Sequence, residues 1–410
     1  MLRTAVGTDP KAYAEPYGVT DPAGVARLNE QKWDFLAQYK IQADNIYRSV
    51  YENTPPTVAE LRATEQREGG LRQFNIWYFD PRLFKLDQPD TWNAQADALF
   101  DHIQPYVDQY RAAGLIDKAY LHCCDESRDE YFALIRAVLT RFKARFPDIP
   151  VLTTAIDDTM GTRSGLDELV DWWVRDVPWY SKEVLDRRHA AGREGWWYLH
   201  AGVHNPYPNL LMGYDPGQLR TLLGPMSYQS KVDGFLYYRV DRWYNHPVLA
   251  DGPLSTWDPR TWNNVAGDGS LFYPGPNGPM PSIRLQNFRD GMEDYNLLTV
   301  LRTAVDHAPP GTDPRILGHW PATCCPAPPW SPTSATTSAT LPGTGAGDNR
   351  SPARPNGCAM RSVPIFAALA FRRVAPWHPA TEPPQKPVGG PRRPLLLFRK
   401  PCERTRRWYP

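Results

Sequence analysis

Eight short runs rich in β-branched and aromatic residues, most of them followed by a longer stretch with helical spacing, occupy residues 2–305 of this 410-residue chain. The runs fall at 2–7, 43–47, 73–79, 117–124, 149–155, 171–175, 196–202 and 233–240; helical patterns fill 22–39, 91–113, 129–146, 216–230 and 281–305. A helix between successive strands returns the chain to the same edge of a sheet, so alternation of this kind implies parallel strands, and eight repeats imply closure. The expectation is an α/β fold of the (β/α)8 TIM-barrel type. An open doubly wound sheet is the competing architecture, but the first strand-to-helix turn carries no G-x-G-x-x-G fingerprint.

The pattern stops abruptly. Residues 1–306 hold 32 Lys and Arg against 41 Asp and Glu, a net of −9, while residues 307–410 hold 14 against 4, a net of +10. The same boundary separates the prolines, 21 of the 43 lying beyond residue 306, beside a Ser/Thr run from Ser331 to Thr340. Such a segment has too little apolar surface to offset the entropy of ordering it. The domain reading is therefore a barrel over 1–306 and a low-complexity, disordered, basic and Pro-rich tail over 307–410. The tail's arginines lack interleaved aromatics or a recognisable module, so no nucleic-acid partner is expected. No apolar run reaches the ~18 residues of a membrane helix, so no membrane partner is expected. The start Met1-Leu2-Arg3-Thr4 lacks the apolar core of a secretion signal. Cys123 and Cys124 read as plain core residues, and Cys324, Cys325, Cys358 and Cys402 form no metal or redox spacing.

A barrel places its chemistry at the C-terminal ends of its strands. Those positions hold Tyr47 and Arg48; Trp77, Tyr78 and Asp80; Asp125 and Glu126; Asp157 and Asp158; Asp176, Trp179 and Tyr180; His200, His204, Asn205, Tyr207 and Asn209; and Arg239, Asp241, Trp243 and Tyr244. Aromatic platforms mixed with carboxylates suit a carbohydrate, whose rings offer apolar C–H faces and hydroxyls. The most informative segment is Asp125-Glu126-Ser127-Arg128-Asp129-Glu130. Ser127 and Glu130 have capping-box spacing, which leaves Asp125 and Glu126 without a structural duty. Two adjacent carboxylates raise each other's proton affinity, as a general acid requires.

Trp196-Trp197-Tyr198, His204-Asn205-Pro206-Tyr207-Pro208-Asn209, Asp233-Gly234-Phe235-Leu236-Tyr237-Tyr238, Gly267-Asp268-Gly269-Ser270-Leu271-Phe272-Tyr273-Pro274-Gly275, Ser282-Ile283-Arg284-Leu285 and Arg289-Asp290-Gly291-Met292-Glu293-Asp294-Tyr295 follow in order. With Asp125-Glu126, these blocks resemble the catalytic domain of glycoside hydrolase family 123. The resemblance implies a (β/α)8 barrel that releases terminal β-linked N-acetylgalactosamine, with N-acetylglucosamine second, from glycoconjugates. It implies retention through substrate assistance, the sugar's own acetamido oxygen acting as nucleophile. By motif, Glu126 is the general acid/base and Asp125 stabilises the acetamido group. Tyr198 and Tyr237 are the expected polar contacts, Trp77, Trp197 and Trp243 the expected stacking surfaces, and Asn209 orients a hydroxyl or a loop. No cofactor or metal is expected, and the family context implies an exported enzyme.

The sequence departs from the family pattern where Ser127 replaces the usual Pro, where Arg239 replaces a less charged residue, and in starting close to the first barrel strand, without the usual β-sandwich ahead of it. The alternative function is a carbohydrate-binding barrel that has lost turnover. His200 and His204 read as hydrogen-bonding groups rather than metal ligands, Asp157-Asp158 as turn chemistry, Gly267–Gly278 as an ordered loop near the mouth, and Arg289–Tyr295 as a helix face.

Overall fold

A computed structural model describes residues 2–243, 260 and 265–308. Seven parallel strands, β1 (Arg3–Val6), β2 (Phe74–Phe79), β3 (Ala119–Cys123), β4 (Val151–Thr153), β5 (Trp172–Asp176), β6 (Glu194–Tyr198) and β7 (Gly234–Tyr237), form one sheet in the order β1-β7-β6-β5-β4-β3-β2. The first strand pairs with the last, so the sheet curls into a half-barrel. The helices are α1 (Pro22–Ala37), α2 (Arg48–Tyr51), α3 (Val58–Glu65), α4 (Trp92–Ala112), α5 (Phe132–Arg145), α6 (Lys182–Ala190), α7 (Gly217–Thr221), α8 (Ser227–Ser230) and α9 (Ile283–Asp306). An antiparallel hairpin, β8 (Phe272–Gly275) and β9 (Gly278–Pro281), precedes α9. The residues of the expected tail from 309 onward lie outside the described residues.

Alternation along the strands sorts side chains into an inner and an outer set. The inner face packs Ala5, Tyr120, Leu152, Trp172, Val174, Trp196, Tyr198 and Leu236 together, with Ile46 joining them. The outer faces pack against helices: Leu121, Cys123 and Trp173 with residues of α4 and α5, Trp197 and Phe235 with residues of α1, α7 and α9. At the base of the inner face Trp172 and Trp196 stack with centroids 5.4 Å apart, and the Arg3 guanidinium lies 4.5 Å from the Trp172 ring. The Trp196 ring lies where a Cβ on Gly234 would stand, so the strand neighbour must be glycine.

The expected strand at 43–47 is not one. Asp44 and Asn45 use side chains where a strand would use its backbone ladder. The buried Asp44 carboxylate accepts from Tyr120 Oη at 2.7 Å, Asn75 N at 3.0 Å and Asn45 N at 2.8 Å. Asn75 Nδ2 donates to Asn45 O at 2.9 Å and Ile46 O at 3.1 Å, and His122 Nδ1 donates to Ile46 O at 2.6 Å. Asp and Asn are poor strand formers because their short polar side chains compete for backbone partners. This polar knot lies between β1 and β2 and links the 44–46 segment to β2 and β3. The run expected at 196–202 begins earlier and ends at Tyr198, releasing 199–202 as a loop. Cys123 and Cys124 are buried as expected, but they are joined to each other as a vicinal disulfide rather than standing as separate thiols.

Candidate active site

The chain leaves β3 through a contorted turn. Cys124 has φ 68° and Glu126 φ 46°, left-handed values that non-glycine residues adopt only under constraint. Cys124 N donates to Phe79 O at 2.9 Å and Glu126 N to Thr154 Oγ1 at 3.2 Å, which hold the turn to the ends of β2 and β4. The expected capping box is absent. The helical turn begins only at Asp129, α5 follows at Phe132, and the buried Ser127 hydroxyl has no hydrogen-bond partner among the described residues. The carboxylates are thus displayed by the turn's backbone, and a helix cap at Ser127 plays no part.

Neutral hydroxyls receive both acids. Tyr198 Oη donates to Glu126 Oε1 at 2.9 Å, while Tyr47 Oη and Thr154 Oγ1 donate to Asp125 Oδ1 at 3.1 and 3.0 Å. Glu126 opens to solvent, yet its proton affinity is raised, chiefly by the surrounding protein and next by the Asp125 charge; the Tyr198 hydrogen bond and the nearby His200 pull the other way. The hydroxyl of Tyr198 is held well above its ordinary range by burial and by Glu126, so it remains a donor.

Beside this pair stands a second. Asp176 is the ladder partner of Tyr198, and its Oδ2 accepts from His200 Nε2 at 2.9 Å. Tyr237 Oη donates to Asp268 Oδ1 at 3.0 Å and accepts from Gly269 N at 2.7 Å, drawing the Gly267–Ser270 turn onto the end of β7. Burial raises the Asp268 carboxyl. Tyr47 and Asp176 stand among the strand-end positions read from sequence but without a role, and Thr154 and Asp268 are not singled out there. Their positions just past strand ends were the available signal, but nothing in one dimension says which strand ends are neighbours.

The structure brings Asp125, Glu126 and Tyr198 together and puts Tyr237 on the adjoining Asp268 turn. It places the tryptophans elsewhere. Trp77 packs edge-on to His102 of α4 at 4.9 Å, Trp197 packs against Tyr180 at 5.9 Å, and Trp243 lies against Phe272 at 5.0 Å with its Nε1 donating to Phe272 O. Trp77 and Trp197 occupy outer-face positions. Burying an indole of ~200 Å² contributes about 5 kcal/mol, well beyond the ~1 kcal/mol of an aromatic contact, so packing takes these rings away from the mouth. Asn209 orders a loop: its Nδ2 donates to His200 O at 3.1 Å and Val203 O at 2.8 Å.

The fully buried Asp157 accepts from the backbone of Thr159, Gly161 and Ser164, in keeping with turn chemistry. Arg239 pairs with Asp241 at 2.9 Å and Asp9 at 3.2 Å. Among the described residues no group of three or more His, Cys, Asp or Glu is arranged to hold a metal ion. A partly open pocket of about 90 Å³ lies behind the 43–45 segment, lined by residues such as Asn29, Asp44, Arg48 and Glu60, and none of its walls belongs to the dyad.

An α/β half-barrel with an Asp-Glu pair displayed at the C-terminal edge of its sheet is a framework on which a glycoside hydrolase can be built. The profile of the glycoside hydrolase 123 catalytic domain matches residues 71–301, more than half of the chain. The chain belongs to glycoside hydrolase family 123. Among solved structures, its fold is similar to that of a family 123 glycoside hydrolase from Clostridium perfringens described for the hydrolysis of glycolipid glycans. The TM-score is 0.55 at 12% identity, over 77% of this chain and 61% of that one. The chain thus spans about 61% of that neighbour's length. No curated protein matches the sequence.

Proposed function

We propose that this glycosidase removes terminal β-linked N-acetylgalactosamine, and secondarily N-acetylglucosamine, by a retaining, substrate-assisted mechanism. The observation that carries the reading is the division of labour within the dyad. Asp125 is oriented by two hydroxyl donors, while Glu126 keeps its proton more readily and opens toward solvent. A protonated Glu126 donates to the glycosidic oxygen as the acetamido oxygen attacks C1, the C1–O bond breaks and an oxazolinium forms. Asp125 accepts the acetamido N–H and balances the positive charge. The Glu126 carboxylate then takes a proton from the water that attacks C1, and the ring opens with the original configuration restored. Holding the acetamido group in line supplies rate through positioning.

Two further readings accompany this one. The 44–46 segment stands in for the second stave of an eight-membered barrel, and the catalytic unit is residues 1–306, with 307–410 outside it. Val50, Leu83, Ile156 and Trp179 are exposed in connections at the sheet edge that carries the dyad. They are the exposed large apolar side chains outside α9 among the described residues, and they favour an aglycone with an apolar part. That fits the glycolipid class for which the Clostridium perfringens enzyme is described.

The test is an assay of the full chain on chromogenic β-GalNAc and β-GlcNAc substrates. Turnover lost in Glu126→Gln supports the reading. Binding without turnover would instead favour the carbohydrate-binding barrel, and neither binding nor turnover would overturn both.

A further inference from the structure

Two hydroxyls reach Asp125, and both reach the same oxygen. Tyr47 Oη and Thr154 Oγ1 donate to Oδ1 at 3.1 and 3.0 Å, while no described residue donates to Oδ2. A carboxylate oxygen offers about two lone-pair sites, so Oδ1 is filled from within the protein and Oδ2 is the acceptor left for a ligand. The two donors differ in their attachments. Thr154 Oγ1 also accepts from Glu126 N at 3.2 Å and so belongs to the turn that carries the dyad, whereas Tyr47 Oη serves Asp125 alone among the described residues.

Tyr47 reaches the dyad because the 44–46 segment is not a strand. Consecutive strand residues face opposite sides of a sheet, yet Ile46 lies in the inner cluster and Tyr47 packs against that same cluster. The bonds from Asn75 Nδ2 and His122 Nδ1 to Ile46 O, and from Tyr47 N to Asn45 Oδ1 at 3.2 Å, fix this geometry. The Tyr47 ring then meets Tyr78 and His122 edge-on, with centroids 5.1 and 5.4 Å away. A polar segment in place of a stave thus holds one phenol against one carboxylate oxygen.

We propose that Tyr47 is the positioning residue for Asp125: by filling Oδ1 it turns Oδ2 toward the acetamido N–H and sets the hold of the site on the cyclised intermediate. The inference rests on the substrate-assisted reading, in which Asp125 meets the acetamido group. With the Tyr47 bond in place the carboxylate is oriented before the sugar arrives, so no reorganisation is needed as the reaction proceeds. The acetamido nitrogen gains positive charge as its oxygen attacks C1, and its N–H becomes a stronger donor. A well-aimed Oδ2 therefore binds the transition state more tightly than the resting sugar, and its alignment shows in kcat rather than in KM.

The test is a double-mutant cycle in the full chain. Tyr47→Phe keeps the ring against Tyr78 and His122 and removes only the hydroxyl. On chromogenic β-GalNAc it should lower kcat about 10-fold and change KM by less than about twofold. In the Asp125→Asn background the same substitution should cost less than about twofold, because the group it positions is already gone. An equal loss of kcat in both backgrounds, or a loss carried by KM, means that Tyr47 supports the fold or the resting sugar, and overturns the proposal. The same cycle can be read without turnover as the Kd of a GalNAc-derived thiazoline, a stable mimic of the oxazolinium. Tyr47→Phe should weaken its binding about 10-fold in the otherwise unmutated chain and less than about twofold in Asp125→Asn. An inactive chain whose thiazoline cycle shows this coupling counts against the hydrolase reading alone. A chain that turns over its substrate without the coupling sinks the inference alone, and one that neither turns over nor binds the thiazoline overturns both.

Discussion

Two charge centres sit at the same end of this sheet and are built on opposite principles. Around Asp241, two acids meet two bases: Lys32 Nζ donates to Asp241 Oδ2 at 3.0 Å, Arg239 bridges Asp241 and Asp9, and Asp9 N donates to both Asp241 oxygens. Lys32 and Asp241 are fully buried. Around Asp125 and Glu126, two acids meet only neutral hydroxyls. The Asp241 centre balances its charges and ties α1, β1 and β7 together. The dyad has no basic partner among its hydrogen bonds, and burial together with the Asp125 charge raises the proton affinity of Glu126. An acid paired with a buried cation would have a lower proton affinity and be a poorer donor.

That contrast can be broken from either side. The largest expected effect is on chemistry: Glu126→Gln should lower kcat on a chromogenic β-hexosaminide by about 10³-fold, measured against unmutated protein. Next comes Lys32→Met, which strands Asp241 among fewer donors and should destabilise the fold by about 3–5 kcal/mol in denaturant titration. Asp125→Asn should reduce turnover of acetamido sugars by about 10²-fold through a less stabilised oxazolinium, and unchanged rates would count against substrate assistance.

Tyr198→Phe should have a smaller effect, about 10-fold on kcat/KM. Because the lost hydrogen bond favoured the Glu126 anion, its proton affinity rises and the basic limb of the pH profile should move upward. The smallest effect concerns stability. The fold raises the Glu126 pKa, so folding binds a proton more tightly than the unfolded chain does, and stability falls as pH rises from the ordinary carboxylate range through the folded value. Glu126→Gln removes that penalty. Its melting temperature should exceed the unmutated protein's at neutral pH, and the difference should vanish in acid. A lower melting temperature at neutral pH would mean that the Tyr198 contact outweighs the charge penalty.

Seven of the eight expected strands are present because their apolar runs are long enough to survive either way of pairing. The eighth failed on Asp44 and Asn45, whose side chains tie the segment down by hydrogen bonds rather than by a ladder. The dyad was legible as two adjacent acids past a strand. Tyr198 was expected as a polar contact, but not as the donor to Glu126. Trp77 and Trp197 were expected to face the mouth, and strand alternation sent them to the helix side. Whether a residue past a strand points inward depends on where the strand stops and on any irregularity along it, such as the register shift between Asn75 and Trp77. Neither is written in the local pattern.

By itself the sequence determined the class of fold, the position of the acid pair and the family, because these rest on periodicity and on local blocks of residues. Only the tertiary structure decided which groups meet that pair. Tyr47, Thr154 and Tyr198 come from three different segments that the curl of the sheet brings to one edge. The proton affinity of Glu126 depends on those distances, and so does its use.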